Sequence, residues 1–379
     1  MTFALPYVIL FLFYIYLYFS SKNKIKKYGP TYENAIRKRY YFIACISYLF
    51  FYGLRGFVFT DWISYYNYFY DIGSGDFGDF DLLEPGYVYS NLIVYKLYPN
   101  YFFFQFIWTA VDVFLLYLIL KRETGKYFLL AFALLLAFFD GVQINLMRNI
   151  KSILIFFYAI KYIRQNNFIK YVIFILIATF FHITSIIYIP LYFFLKGKHL
   201  NILTIFSIIS IIVSIIGFGD IENALILIGT FLGGKFNVID TYLSSGVNSG
   251  ITLGFLYRTC LLLIILYKYN SLCKLNCINT NLAILYLSLN LFFNSVLTLR
   301  DRIPTLFIIG FIVIFPYILS TIKKRTFKYI FIFINSVCIM GFVYNPHKTI
   351  IAKYENVLFT PQNADKAEQR IFNNIEERE

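Results

Sequence analysis

Long apolar runs recur from one end of this chain to the other, and they limit most strongly how it can fold. A run of about 20 mostly apolar residues suits a membrane-spanning helix, because a helix satisfies its own backbone hydrogen bonds in lipid. The runs are Phe3–Ser20, Tyr40–Phe59, Tyr101–Leu120, Tyr127–Phe139, Ile150–Ile163, Tyr171–Leu195, Ile202–Phe218, Ile251–Tyr267, Leu282–Leu299, Ile303–Ile322 and Phe327–Tyr344. The first run has no basic segment before it and no small-residue cleavage site after it, so we interpret it as a retained span.

Composition supports this interpretation. Hydrophobic residues make up 59% of the chain and charged residues 14%, whereas a soluble domain carries about 25% charged residues. The sequence therefore predicts an all-α, polytopic membrane bundle of about 10–11 transmembrane helices over residues 1–344. We expect extracytoplasmic loops at about 60–100 and 219–250, and a polar C-terminal tail over residues 345–379.

Basic residues follow several of the runs and indicate the orientation of the chain, because Lys and Arg favour cytoplasmic loops. The clusters lie within 22–39, 121–126, 161–170 and 323–328. They place the N-terminus outside, together with residues 61–100 and 140–149. The net charge of +14 is spread over many short loops, which favours contact with anionic lipid headgroups and not with nucleic acid.

The run Tyr171–Leu195 does not fit this simple scheme, because basic residues stand both before and after it. One interpretation is an ordinary span, which places Lys196 and Lys198 outside. The other is a broken or re-entrant element with its break at His182, after which every later basic cluster lies inside. Irregular backbone at membrane depth is tolerated where it is buried in protein or lines a wet cavity.

Ionisable residues inside spans or at their outer ends are the candidates for chemistry, because such groups are costly in lipid. They are Arg55, Asp61, Glu84, Arg148, Lys151, His182, Arg258, Arg300, Asp301 and Arg302. Arginine is planar and permanently charged, and it binds phosphate or diphosphate in a bidentate manner. The carboxylates and His182 are candidate general bases, and the rings of Trp62, Tyr65, Tyr66 and Tyr87 are candidates for stacking on sugars.

Each candidate also has a structural interpretation. Arg55 can direct its charge to the membrane surface from a span end, and Asp61 and Glu84 can cap loop turns. Arg258 is interpreted as the partner of Asp112 inside the bundle. Cys273 and Cys277 have no His or second Cys pair nearby, and we find no compact carboxylate cluster, so neither a metal nor another cofactor is expected.

The ordered set of these pieces resembles the Wzy-like polysaccharide polymerases of the EpsG type. The matching pieces are Leu54-Arg55-Gly56, Thr60-Asp61, Tyr65-Tyr66, Glu84-Pro85-Gly86-Tyr87, Met147-Arg148-Asn149, Phe181-His182-Ile183-Thr184-Ser185 with Pro190 beyond, and Arg300 or Arg302 before a late span. Two arginines occupy the last position where the family pattern has one, and Arg302 fits the following apolar spacing better.

The resemblance implies a glycosyltransferase C type membrane fold in the bacterial inner membrane, acting on the periplasmic face. The implied substrates are undecaprenyl-diphosphate-linked oligosaccharides, and a chain-length regulator is a candidate protein partner. The growing chain would pass from its lipid carrier to the next lipid-linked unit. In this scheme Arg148 and Arg302 hold the diphosphate with support from Arg55 and Arg300, Tyr65 and Tyr87 contribute to substrate binding, and His182, Asp61 or Glu84 deprotonates the acceptor.

Two other functions are compatible with a polytopic chain of this kind. A lipid-linked oligosaccharide flippase would carry cations deep in several spans, distributed between two similar halves, whereas the arginines here stand at span ends and no internal repeat is evident. A membrane O-acyltransferase would use His182 together with an acidic or Asn partner, and the sequence shows no such pair.

Overall fold

A computed structural model of the chain describes residues 3–75, 83–216 and 251–376, and the predicted loop 219–250 lies outside these ranges. The described residues are helical in most positions. The α-helices are α1 Leu5–Tyr28, α2 Glu33–Gly53, α3 Trp62–Ser74, α4 Pro85–Leu97, α5 Tyr101–Thr124, α6 Phe128–Phe138, α7 Asp140–Asn145, α8 Met147–Arg164, α9 Phe168–Thr179, α10 Tyr188–Leu195, α11 Leu200–Ile216, α12 Leu253–Tyr267, α13 Tyr269–Phe292, α14 Leu297–Arg302, α15 Ile308–Thr321, α16 Arg325–Tyr344 and α17 Ala364–Glu376.

Within the described ranges, five helical segments are long and apolar enough to cross a membrane. They are Leu5–Tyr28, Tyr101–Phe138, Tyr269–Phe292, Thr298–Thr321 and Arg325–Tyr344, and shorter apolar helices include α9, α11 and α12. The predicted all-α, polytopic membrane fold is confirmed, and the chain is a multi-pass membrane protein. It divides into two compact units. The first unit consists of Met1–Ile189 together with Ile332–Glu379, and the second unit is Pro190–Phe331.

In the first unit, the loops that carry basic residues meet at one end. The hydroxyl of Tyr41, near the start of α2, donates to the carbonyl of Gly125 at 2.8 Å. The buried carboxylate of Glu123, at the end of α5, pairs with Arg122 and with Arg164 at 2.6 Å each. The starts of α2, α6 and α9 and the ends of α5 and α8 therefore gather at this end, which we call the basic end.

The C-terminal segment packs at the opposite end of the first unit. The backbone N–H of Gly56 donates to the carbonyl of Glu355 at 2.7 Å, and the hydroxyl of Tyr7 donates to the carbonyl of Ala352 at 3.2 Å. Ala367 of α17 is buried against an aromatic cluster formed by α3, α4 and α5. The start of α1, the residues after α2 and the C-terminal segment thus share one end.

A buried ion pair fastens this segment to the bundle. Nε2 of His347 lies 2.7 Å from Oδ2 of Asp140, and Nδ1 donates to the carbonyl of Val343 at 2.6 Å. The hydroxyl of Tyr52 donates to the other carboxylate oxygen of Asp140, and the ring of Tyr7 stacks on the imidazole at 3.7 Å. Burial lowers the pKa of His347, but the charge and hydrogen bond of Asp140 outweigh it, so the pKa is raised above its ordinary value.

We expect His347→Leu to lower the free energy of unfolding by about 3–5 kcal/mol at mildly acidic pH, because it leaves a buried carboxylate unpaired. The pKa of His347 is raised in the folded protein. The ion pair therefore contributes its full stabilisation below about pH 6.5, and this contribution is lost as the pH rises through the pKa of His347 in the folded protein. Thermal midpoints in detergent should therefore differ most between variant and wild type below about pH 6.5 and converge at alkaline pH. A constant difference across this range would contradict the assignment, and Asp140→Asn/His347→Leu should recover part of the loss.

The sequence left two interpretations of the run Tyr171–Leu195 open, and the structure shows a break at His182. Helix α9 ends at Thr179, and a 3-10 helix spans Ile183–Ile187 before α10 begins. The chain then runs back along α9, because the hydroxyl of Tyr171, near the start of α9, donates to the carbonyl of Tyr188 at 2.5 Å. His182 therefore lies in the turn between α9 and the segment that returns along it.

Candidate functional site

Three residues that are distant in sequence meet at the end of the first unit opposite the basic end. Oε2 of Glu84 lies 2.8 Å from Nη1 of Arg148. Oε1 of the same carboxylate lies 3.6 Å from Nδ1 of His182, and it accepts the backbone N–H of Ile183 at 3.3 Å. Glu84 is 9% exposed, whereas the side chains of Arg148 and His182 are 26% and 25% exposed, so both partners are more accessible than the carboxylate between them.

The residues after Glu84 explain how this carboxylate is placed. Glu84 precedes α4 in an extended conformation, and Pro85 opens the helix, where its missing N–H costs nothing. The N–H of Gly86 donates to the carbonyl of Phe180 at 2.8 Å. A Cβ at position 86 would lie 2.6 Å from that carbonyl oxygen, so only glycine allows α4 to approach the turn that carries His182 this closely.

Gly86→Ala is expected to destabilise the protein by about 1–3 kcal/mol, because the added methyl group forces α4 away from the end of α9. Gly141→Ala is the matched control, since a Cβ at that helical position meets nothing within 4 Å. We expect the control to be neutral or stabilising by up to about 1 kcal/mol. Thermal unfolding in detergent compares the two, and equal midpoints would show that the close approach does not matter.

Arg148 stands in the first turn of α8. Leu146 leaves the helical conformation at φ −106° and ψ 50°, so α8 begins afresh at Met147. The guanidinium carbon lies 5.9 Å from the ring centroid of Tyr87. The start of a helix also presents free N–H groups and the positive end of its dipole, which favours an anion beside the guanidinium.

The structure corrects the proposed role of the aromatic residues. Trp62, Tyr65 and Tyr87 are 6%, 7% and 0% exposed, and they form part of the aromatic cluster beneath the site. Because all three rings are buried, they present no open face on which a sugar could stack. Tyr65 instead donates its hydroxyl to the carbonyl of Asn145 at 3.0 Å, which fixes the segment before α8. The spacing of Trp62, Tyr65 and Phe69 on α3 is that of a buried helix face.

Arg55 and Asp61 contact groups other than the Glu84 carboxylate. Arg55 is 4% exposed, and its guanidinium donates to the backbone carbonyls of Tyr52 at 2.5 Å and Ile144 at 3.4 Å. This contact joins the end of α2 to α7. Asp61 is half-buried before α3 and accepts the hydroxyl of Thr60 at 3.0 Å. Although Asp61 directly precedes α3, its side chain makes no capping hydrogen bond to the start of that helix.

Arg300 and Arg302 lie on α14 in the second unit. Nε of Arg300 lies 3.3 Å from the exposed carboxylate of Asp301, and Arg258 on α12 is within electrostatic range of both residues. The sequence-based pairing of Arg258 with Asp112 is wrong, because both oxygens of Asp112 are taken by Lys151 at 2.6 Å and by Gln143 at 3.2 Å. Among the described residues, no group of three or more His, Cys, Asp or Glu is placed to hold a metal ion.

Comparison with known proteins gives one match. A family model described as the EpsG family matches residues 38–356, which includes Glu84, Arg148, His182 and both arginines of α14. No curated protein and no solved structure matches the chain.

Proposed function

Because the chain belongs to the EpsG family, we propose that it polymerises oligosaccharide units carried on undecaprenyl diphosphate into a surface polysaccharide. The family itself supports a polysaccharide-polymerase type of function. In the proposed reaction, the growing chain leaves its lipid carrier and joins the next lipid-linked unit on the periplasmic face of the inner membrane. Lipid diphosphate is the leaving group, so no nucleotide sugar takes part.

The observation that carries this proposal is the Glu84 carboxylate shared between Arg148 and His182. The acceptor hydroxyl attacks the anomeric carbon of the donor sugar and gives its proton to the imidazole of His182. The bond between that carbon and the diphosphate oxygen breaks, and negative charge grows on the diphosphate. Arg148 stabilises this growing charge, which is the kind of interaction that accelerates the chemical step.

Glu84 serves both groups in turn. Its carboxylate neutralises Arg148 at 2.8 Å, and an incoming diphosphate competes for the same guanidinium. The carboxylate also faces Nδ1 of His182 at 3.6 Å, which is longer than a hydrogen bond. Catalytic contacts of this kind are often long without substrate and tighten in the reactive complex. Nδ1 of His182 also accepts the backbone N–H of Thr184 at 3.4 Å. For the other nitrogen to accept a proton, the ring must exchange this contact for one in which Nδ1 donates to the Glu84 carboxylate.

The sidedness of the site supports a periplasmic reaction. Glu84, Arg148 and His182 lie at one end of the first unit, and the loops with basic residues lie at the other. Basic loops favour the cytoplasm, so we place the site outside. Arg300 and Arg302 remain candidates for binding a lipid-linked substrate diphosphate.

The test is a reconstitution of the purified chain in proteoliposomes with lipid-linked repeat units. We expect a ladder of products that differ by one repeat unit, with release of undecaprenyl diphosphate in step with each bond formed. Translocation of intact lipid-linked units across the bilayer with no new glycosidic bond would overturn the proposal in favour of a flippase.

A further inference from the structure

Two contacts between α5 and α8 bracket Arg148. The indole N–H of Trp108 on α5 donates to the carbonyl of Met147, the residue directly before Arg148, at 2.9 Å. Asp112, one helical turn further along α5, pairs with Lys151 of α8 at 2.6 Å. Both contacts are buried, and the Lys151 and Asp112 side chains are 2% and 1% exposed.

The spacing of these contacts is that of two helices joined at matching turns. Trp108 and Asp112 stand four residues apart on α5, and Met147 and Lys151 stand four residues apart on α8. Residues four apart lie on the same face of a helix. One contact would leave α8 free to rotate about it, whereas two contacts one turn apart fix both the rotation and the axial position of α8.

Arg148 projects from the short stretch of helix between these two contacts. Each residue turns an α-helix by about 100°, so a small rotation of α8 would carry the guanidinium away from the carboxylate of Glu84. The ring of Trp108 also lies 4.3 Å below the ammonium group of Lys151, so the two contacts support each other. Gln143 completes the pair by donating to Asp112 at 3.2 Å.

A contribution to stability does not by itself account for the Asp112–Lys151 ion pair, which is buried between α5 and α8. Two ions removed from water lose hydration that their mutual attraction only partly restores, and apolar residues of the same size often serve as well. A buried pair does, however, tolerate only one geometry, because a displaced ion would remain unpaired. This property suits a contact whose task is to define position.

We infer that Asp112, Lys151 and Trp108 are positioning residues that set the rotation of α8 and thereby aim Arg148 at the diphosphate of the lipid-linked substrate. The inference rests on the proposed function, since it assigns the diphosphate to Arg148. None of the three residues touches substrate in this scheme, and their effect is transmitted through the start of α8.

The experiment measures binding of undecaprenyl diphosphate and the KM of the lipid-linked donor for Asp112→Asn/Lys151→Met, which removes both charges together. We expect binding weakened about tenfold or more, a raised KM and a nearly unchanged thermal midpoint. Trp108→Phe keeps an aromatic ring but removes the indole N–H donor. It should raise both the dissociation constant of undecaprenyl diphosphate and the KM of the donor. Partial misfolding would lower the amount of active protein without changing either constant.

The matched control is Glu123→Gln/Arg164→Gln. It removes the ion pair that joins the same two helices at the basic end, about 20 Å along α8 from Lys151. We expect wild-type binding and KM from this control. Wild-type constants in the Asp112/Lys151 variant, or equal losses in both double variants, would overturn the inference. If Arg148→Ala also bound the lipid diphosphate normally, the proposed function of Arg148 would fail instead.

Discussion

Arg148→Ala is expected to lower the polymerisation rate by about 10²–10³-fold, because the diphosphate then leaves without the cation that stabilises its growing charge. The measurement is the initial rate of ladder formation from lipid-linked repeat units in proteoliposomes. Arg148→Lys keeps the charge but loses the planar fork that grips two oxygens, so an intermediate rate is expected.

Two further variants separate chemistry from folding. Arg148→Ala leaves the buried Glu84 without its 2.8 Å partner, so Arg148→Ala/Glu84→Ala, which removes both charges, tests whether lost activity follows a lost fold. Lys161→Ala changes another cation of α8, whose ammonium lies 3.7 Å from the ring centroid of Tyr158, and it should retain wild-type rates. A normal rate in a folded Arg148→Ala protein would remove Arg148 from the mechanism.

His182→Ala is expected to lower turnover by about 10²–10⁴-fold while donor binding changes little, because a general base acts in the transition state and not in ground-state binding. The measurement is kcat and KM with the donor and acceptor varied separately. A loss expressed mainly in KM would assign His182 to binding and would contradict the proposed role as base.

Asp61 and Glu84 are the two carboxylates that the sequence suggests as candidate bases besides His182, and variants of each test these roles. Asp61→Asn should be nearly silent, since Asp61 contacts Thr60 and not the shared carboxylate. Glu84→Gln should change both the turnover rate, which should fall, and the affinity for the donor, because Glu84 contacts both Arg148 and His182. His199→Ala is the histidine control, since its ring stacks on Phe194 in the second unit. A silent His182→Ala beside an inactive Asp61→Asn would transfer the base to Asp61.

The sequence predicted those parts of the structure that depend on local pattern. Apolar runs predicted the membrane helices, and the polar residues at His182 inside an otherwise apolar run predicted the break between α9 and α10. The start of α8 was also predictable, because Met147-Arg148-Asn149 stands at the boundary of a run. For the membrane helices, the reason is that a chain in lipid must keep its backbone hydrogen bonds within a helix, so composition decides the element.

Partners across long separations were not predictable. Glu84 and Arg148 are 64 residues apart in the chain, and no periodicity links them. The sequence-based interpretation paired Asp112 with Arg258, although its partner is Lys151. A sequence shows that a buried charge needs a counter-charge, but it does not show which residue supplies it. The burial of Tyr65 and Trp62 did have a signal in the helical spacing of α3, and the stacking interpretation overlooked it.

The contact between Asp140 and His347 has a consequence for how the chain is made. Its two members are 207 residues apart, and a ribosome adds about 5–20 residues per second. Roughly 10–40 seconds therefore pass between the synthesis of Asp140 and that of His347. The first unit therefore cannot complete this contact until the residues around His347 have been synthesised and have reached Asp140.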